Sequence, residues 1–215
     1  MEKMIHCRLE APTEILNKYI INEEFNFHEV IPRPGIYDDP ELSEDNDPNA
    51  CIYWYLSQRR KLSIAEVLEQ YPDSKYFKTP SAGALIQELV DSIDELKQGS
   101  DWFYHLGEKF VDAIQRYGYR SWYYWDLANW GTKYNALNTD YDWELPDFHY
   151  VEFDAAYTPP MDVIYKIFKC HPDDFLHFEW WEANEYDSDH YSLIKDECGE
   201  WTQIHSWKEI PDAAV

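Results

Sequence analysis

The chain has 215 residues, 45% of them apolar and 18% aromatic, and a formal net charge of -24. That length and aromatic content suit one large folded domain and exclude an intrinsically disordered chain, which combines charge with few aromatics. The charge also excludes the usual kind of nucleic-acid or anionic-membrane binder, because those rely on clustered Lys and Arg to displace counterions.

Met4 to Glu10, bounded by Ala11-Pro12, reads as a strand. Pro12-Thr13 then opens the pattern TEILNKYI, with Ile15, Leu16, Tyr19 and Ile20 at helical spacing. In FNFHEVIPRP, Phe25, Phe27 and Glu29 alternate with Asn26, His28 and Val30 until Pro32 and Pro34 end the segment. Residues 35–49, GIYDDPELSEDNDPN, are polar, acidic and proline-containing, which predicts a surface loop. Helical periodicity follows in SIAEVLEQY, SAGALIQELVDSIDEL and WFYHLGEKFVDAIQRYG, where Gly118 fits a C-terminal stop. These three predict a helical insertion over residues 62–118.

FHYVEFDAAY alternates as a strand, and TPPMDVIYKIFKCHP starts a helix at its prolines with Met161, Ile164, Tyr165 and Phe168 on one stripe. FLHFEWWEA, HYSLIKDE and WTQIHSW read as further strands separated by the turns NEYDSD and CGE. Strand-helix-strand twice is the split βαβ plan. The expected fold class is therefore α+β: a ferredoxin-like antiparallel sheet in a single domain over residues 1–215, with the helical insertion and a C-terminal β-hairpin extension.

Cys7, Cys51, Cys170 and Cys198 form no CxxC pair, so a zinc ribbon or thioredoxin-like motif has no support, and reduced thiols in a cytoplasmic protein are expected. The first residues hold no apolar leader, and nowhere do eighteen apolar residues run together, so neither export nor membrane anchoring is expected. His171, Asp173, Asp174, His177 and Glu179 are metal-ligand types, but HExxH is missing. Asp187-Ser188-Asp189-His190 lacks the glycine and distal glutamate of a calcium loop. No GxSxG, P-loop or GxGxxG occurs either, so no metal, no cofactor and no catalytic residue is expected.

FNFHEVIPRP, then YYWDLANWGTKYNA, then AAYTPPMDVIYKIFKCHP resemble, in order and spacing, the YubB-like ferredoxin-like domain of plasmid and phage proteins. The most specific elements are Asn129-Trp130-Gly131-Thr132-Lys133 with Asn135-Ala136, Phe27 to Pro34, and Tyr157-Thr158-Pro159-Pro160. Tyr134 and Tyr157 stand where similar proteins carry Trp. The resemblance implies a fold and a mobile-element origin and brings no catalytic residues with it.

A short helix through Trp122, Asp126, Asn129, Trp130 and Lys133 would put those five on one broad face. One reading is a motif that locks the segment across the sheet, since buried aromatics are common core material. The other is a ligand cleft formed by Asp126, Asn129, Trp130 and Lys133.

The charge is uneven: 22 acidic and 13 basic residues precede Ser121, a net of -9, whereas 20 acidic and 5 basic follow from it, a net of -15. Between Cys170 and Glu200 ten acidic residues accompany one lysine, interleaved with aromatics. A solvated acidic face is the plainer explanation. The sharper one is a partner-binding face of Asp173, Asp174, Glu179, Trp181, Glu182, Glu185, Asp187 and Asp189, with carboxylates in the place of phosphates and aromatics as anchors. The expected function is a phage- or plasmid-type acidic interaction protein that inhibits a basic host defence or nucleic-acid-binding protein. The alternative is a small-molecule or nucleotide binder, or an enzyme, using the cleft near Asn129 to Lys133.

Overall fold

Strand β1 (Met4–Ala11) buries Ile5, Cys7, Leu9 and Ala11, and leaves Met4, His6, Arg8 and Glu10 partly exposed, the alternation of a strand covered on one side. It is an inner strand of the main sheet in a computed structural model that describes residues 3–46, 48–61, 66, 101–142, 149–182, 190–195 and 201–205. Strand β5 (His149–Ala156) pairs along all of β1, from Met4 opposite Ala156 to Ala11 opposite His149. On the other side β6 (His177–Glu182) pairs from Ile5 opposite Glu182 to Glu10 opposite His177. With β4 (Leu137–Asp142), β7 (Tyr191–Lys195) and β8 (Trp201–His205), the sheet order is β4-β5-β1-β6-β7-β8, every neighbour antiparallel. This mixed α/β architecture, an antiparallel sheet with helices, agrees with the expected α+β class.

Both neighbours of β1 run antiparallel to it, so β5 and β6 are parallel to each other across it. A long helix (Met161–Cys170) connects them after Pro159-Pro160. Its buried stripe is Val163, Ile164, Ile167 and Phe168; Met161 and Tyr165, expected in that stripe, are only partly buried. Val151, Phe153, Phe178 and Leu193 are fully buried on the covered sheet face, and the Phe168 ring lies 4.1 Å from that of Trp201 on β8.

Contacts group the chain into two compact units, residues 1–33 with 126–215 and residues 34–125. In the first, helix α1 (Thr13–Leu16) is shorter than TEILNKYI predicts, and β2 (Ile20–Ile21) and β3 (Glu24–Phe25) make a small separate sheet. FNFHEVIPRP is not an extended alternation. Asn26 caps a short helix α2 (Phe27–Val30), its Oδ1 accepting from the His28 amide at 3.0 Å, so Phe27 and Val30 are buried together.

In the second unit, helix α3 (Pro48–Arg60) packs on α4 (Asp101–Tyr117), with Leu106, Phe110 and Val111 buried. Gly118, at φ 82°, ends α4 as its sequence predicts. The acidic loop is shorter than expected, because Pro48 and Asn49 already belong to α3. Its carboxylates are tied down: Lys109 Nζ reaches Asp39 and Glu41, Trp102 donates to Glu41, and Arg120 and Ser121 hold Glu44. Tyr37 and Leu42 are buried beneath them.

Helix α5 (Trp122–Asn129) follows, and the helix between β5 and β6 becomes α6. Apart from Glu66, residues 62–100 of the expected insertion lie outside the described residues, as do the turns NEYDSD and CGE. Cys7 and Cys51 are buried and Cys170 is exposed, none of the three in a disulfide. No helix of the described residues is long and apolar enough to cross a membrane.

Candidate functional site

The three motif elements of the sequence converge on Trp130, which is fully buried. Its indole N–H donates to the Ile31 carbonyl at 2.9 Å, and the rings of Phe27 and His28 lie 5.7 and 4.8 Å from it. The Arg33 guanidinium sits 5.5 Å from the indole centroid and bonds Asp126 at 3.1 Å. Asn135 accepts from the Phe27 amide at 2.7 Å, which fastens the far end of the motif to the same α2 turn. On the other side Thr132 donates to the Ala156 carbonyl at 2.8 Å, Thr158 donates to the Gly131 carbonyl, and Lys133 lies over the Tyr134 and Tyr157 rings.

The helix does not carry this motif to its end. It stops at Asn129, and Gly131 at φ 80° turns the chain, so Lys133 does not share a helical face with Asp126. Asp126 is 1% exposed, Asn129 and Lys133 are partly buried, and Trp130 is enclosed. Two pockets of the described residues, one at Asn22–Glu24 and Asn135–Tyr141 and one at Asp174–His177, Ile194 and Trp201, include none of these four.

Burial pushes the Asp126 carboxyl up to about 7, although Arg33 pulls the other way. Burial prevails because Arg33 reaches Oδ2, while Oδ1 is buried without a partner among the described residues. The ordinary value is 3.8, so between about pH 4 and pH 7 the native chain keeps a proton that the unfolded chain has lost. Stability contributed by this site therefore falls as pH rises through that window. Urea midpoints of wild type and Asp126→Asn, measured from pH 4 to pH 7, are expected to converge or cross in the variant's favour as pH rises. A gap independent of pH would contradict this.

The partly exposed side of the central strands forms a second candidate. The register builds a lattice of three rows: Asp154, His6 and Trp181; Glu152, Arg8 and Glu179; Tyr150, Glu10 and His177. Paired residues share a face, so these nine side chains lie together although β1 and β6 are far apart in sequence. Arg8 at the centre bonds Glu10 at 3.0 Å, lies 3.8 Å from Glu152, and stacks its guanidinium 3.9 Å from the Tyr150 centroid. His6 Nδ1 is 2.9 Å from Asp154, and its ring is 4.6 Å from that of Trp181, which stacks in turn on His190. His177 bridges Glu10 at 3.3 Å and Glu179 at 3.5 Å. Its hydrogen bond holds the Glu10 carboxyl below the ordinary carboxylate range, against the effect of burial and with help from Arg8.

Four carboxylates, Glu10, Glu152, Asp154 and Glu179, thus surround one guanidinium, with side chains 16 to 28% exposed. The face is anionic and partly solvated, with aromatic surface at two corners: suited to a cation, not to a phosphate. Among the described residues no group of three His, Cys, Asp or Glu has metal-holding geometry. Burial raises the Cys7 thiol well above its ordinary value, which makes it a poor nucleophile.

Of the acidic and aromatic residues singled out in sequence, Glu179 and Trp181 belong to this lattice. Glu182 has the opposite parity in β6 and bonds Lys3. Asp173 and Asp174 are exposed in the turn before β6, and Asp174 reaches His171 at 3.4 Å. Glu185, Asp187 and Asp189 lie outside the described residues. His6, Arg8 and Glu10 were missed. Their only sequence signal is the polar half of the β1 alternation.

No family model matches the chain, and no curated protein does. It is similar to a solved structure, protein api92 from Yersinia pseudotuberculosis, family-model DUF1281, at 10% identity and a TM-score of 0.38 over 89% of this chain and 94% of that one.

Proposed function

We propose that this is a non-enzymatic, phage- or plasmid-type interaction protein that docks a basic host protein, a defence or nucleic-acid-binding factor, on the acidic face of its sheet. The observation that carries the reading is the lattice itself, where four carboxylates meet one fixed cation beside Trp181 and Tyr150. Such a face attracts lysine and arginine, steers their approach, and offers flat aromatic anchors once they arrive. The same field opposes the phosphates of RNA, which a sheet with exposed aromatics could otherwise stack.

A ferredoxin-like identity for the sheet belongs to the same proposal. The parallel pair β5 and β6, joined by α6 and separated by β1, supports it, as does the return of β4 beside β5 after an inserted helical segment. On this reading β7 and β8 are an added hairpin. The clasp of all three motif elements around Trp130 supports treating them as the structural signature of a YubB-like domain.

The test is a tagged pull-down from host cells, followed by affinity measurements on the captured protein. Glu152→Gln, Asp154→Asn and Glu179→Gln together are expected to weaken binding about tenfold or more and to lessen its salt dependence. Glu14→Gln, Asp45→Asn and Asp101→Asn change the same charge at exposed positions elsewhere and serve as the control. Equal losses from both triplets would reduce the acidic face to a solubility feature. Micromolar binding of single-stranded RNA at about 150 mM salt would overturn the reading as well.

A further inference from the structure

The outer side of β4, the last strand of the sheet, borders a groove of about 760 Å³. One wall is Asn135 to Tyr141; the other is Asn22, Glu23 and Glu24 at the β2–β3 turn. The two walls are joined by side chains, the Phe25 amide donating to Thr139 Oγ1 at 3.1 Å and the Phe27 amide to Asn135 Oδ1 at 2.7 Å. Although β3 lies close to β4, no ladder links the two among the described residues, so β3 does not pair with the main-chain edge of β4.

Glu23, Glu24 and Asp140 supply three carboxylates to the groove, and no lining residue is basic. All three are exposed, and none has an ion-pair partner among the described residues, unlike Asp39, Glu44, Glu152 and Asp126. The backbone there is unusual. Among the described residues, three of the five non-glycine residues with positive φ line this groove: Asn22 at 53°, Glu23 at 70° and Asn138 at 50°. Asn138 lies in a bulge, since Leu137 pairs with Asp154 but Asp140 with Glu152. The bulge blunts indiscriminate pairing at this edge and leaves selection to the side chains. Asp140 is also the register partner of Glu152, so the groove continues the middle row of the acidic lattice.

We propose that the groove seats an extended, lysine- or arginine-bearing segment of the basic partner, laid beside β4 as an added strand. The proposal rests on the reading that the partner is a basic protein, and it names the element of that partner that is read. Three observations point to this occupant. The groove follows consecutive residues of one edge strand, so an extended main chain fits its course. Its carboxylates have no cation partner among the described residues, so charge complementarity selects Lys or Arg. It is continuous with the acidic face, so one partner can cover both.

The experiment titrates the full chain with a ten-residue peptide alternating Lys or Arg with Val or Thr, followed by nuclear magnetic resonance. Amides of 137–142 are expected to shift. Glu23→Gln, Glu24→Gln and Asp140→Asn together are expected to weaken binding about tenfold, as loss of several exposed ion pairs does. A peptide with the same charges but N-methylated along one edge is expected to lose binding too, because it keeps the cations and removes the ladder. If peptide binding instead depends on Glu179 and not on the groove triplet, the acidic face stands and the groove proposal falls. Binding that neither triplet alters, or no binding at millimolar peptide, overturns both. Equal, groove-dependent binding of spermidine would show a small-amine site and also overturn the added strand.

Discussion

Trp130→Ala lowers the stability of the chain by about 3 to 5 kcal/mol, the usual cost of emptying a fully buried aromatic site. The indole has no exposure, and it packs against Phe27, His28 and Arg33. Its removal also leaves the carbonyl of the partly buried Ile31 without its donor, which adds about 1 kcal/mol, the usual net value of one hydrogen bond. Trp130→Phe separates the two contributions: it refills much of the volume but cannot donate to Ile31, so an intermediate loss is expected. Chemical denaturation of the three proteins checks the order. A midpoint unchanged in Trp130→Ala, accompanied by lost partner binding, would move Trp130 from the core to a working surface.

The strands that alternate strictly were legible in the sequence, because burial on one face leaves a period of two. Met4 to Glu10 and FHYVEFDAAY are of this kind, and their register then follows from the pairing of β1 with β5. LNTDYD was not legible as a strand. Its residues are polar because β4 is an edge, and a bulge breaks its alternation. Helix α3 was hidden for a different reason: its aromatic run, IYWYL, has little polar contrast around the helix, so no stripe stands out.

The candidate site was half legible. Glu179 and Trp181 follow from the alternation of FLHFEWWEA and from local charge. Their partners His6, Arg8 and Glu10 sit on the opposite end of the chain, and only strand order and register place them alongside. The expected helical face from Asp126 to Lys133 failed at one residue, Gly131, whose positive φ ends the helical geometry before Lys133 is reached. Spacing arguments hold only while the element continues.

Gly107→Ala is expected to destabilise the unit formed by residues 34–125 by about 3 kcal/mol, at the upper end of overpacking costs. Gly107 lies in the middle of α4, where Ala would ordinarily gain about 1 kcal/mol through helix propensity. Here that gain is outweighed. A Cβ on Gly107 would overlap the Cys51 carbonyl oxygen and stand 2.7 Å from the Tyr55 Cβ, both on α3. These neighbours are backbone and the root of a side chain, so neither can swing aside, and α3 and α4 must separate along their shared contact. Separation would loosen Cys51, Tyr55 and Leu56, all buried at present. Gly118→Ala is the contrast: its Cβ meets nothing within 4 Å, and its cost is only the strain of a positive φ, about 1 kcal/mol. Hydrogen exchange of amides in 48–60 and 101–117 reads the effect locally. Protection retained in Gly107→Ala, or lost equally in Gly118→Ala, would mean that the close helix crossing is not what holds this unit together.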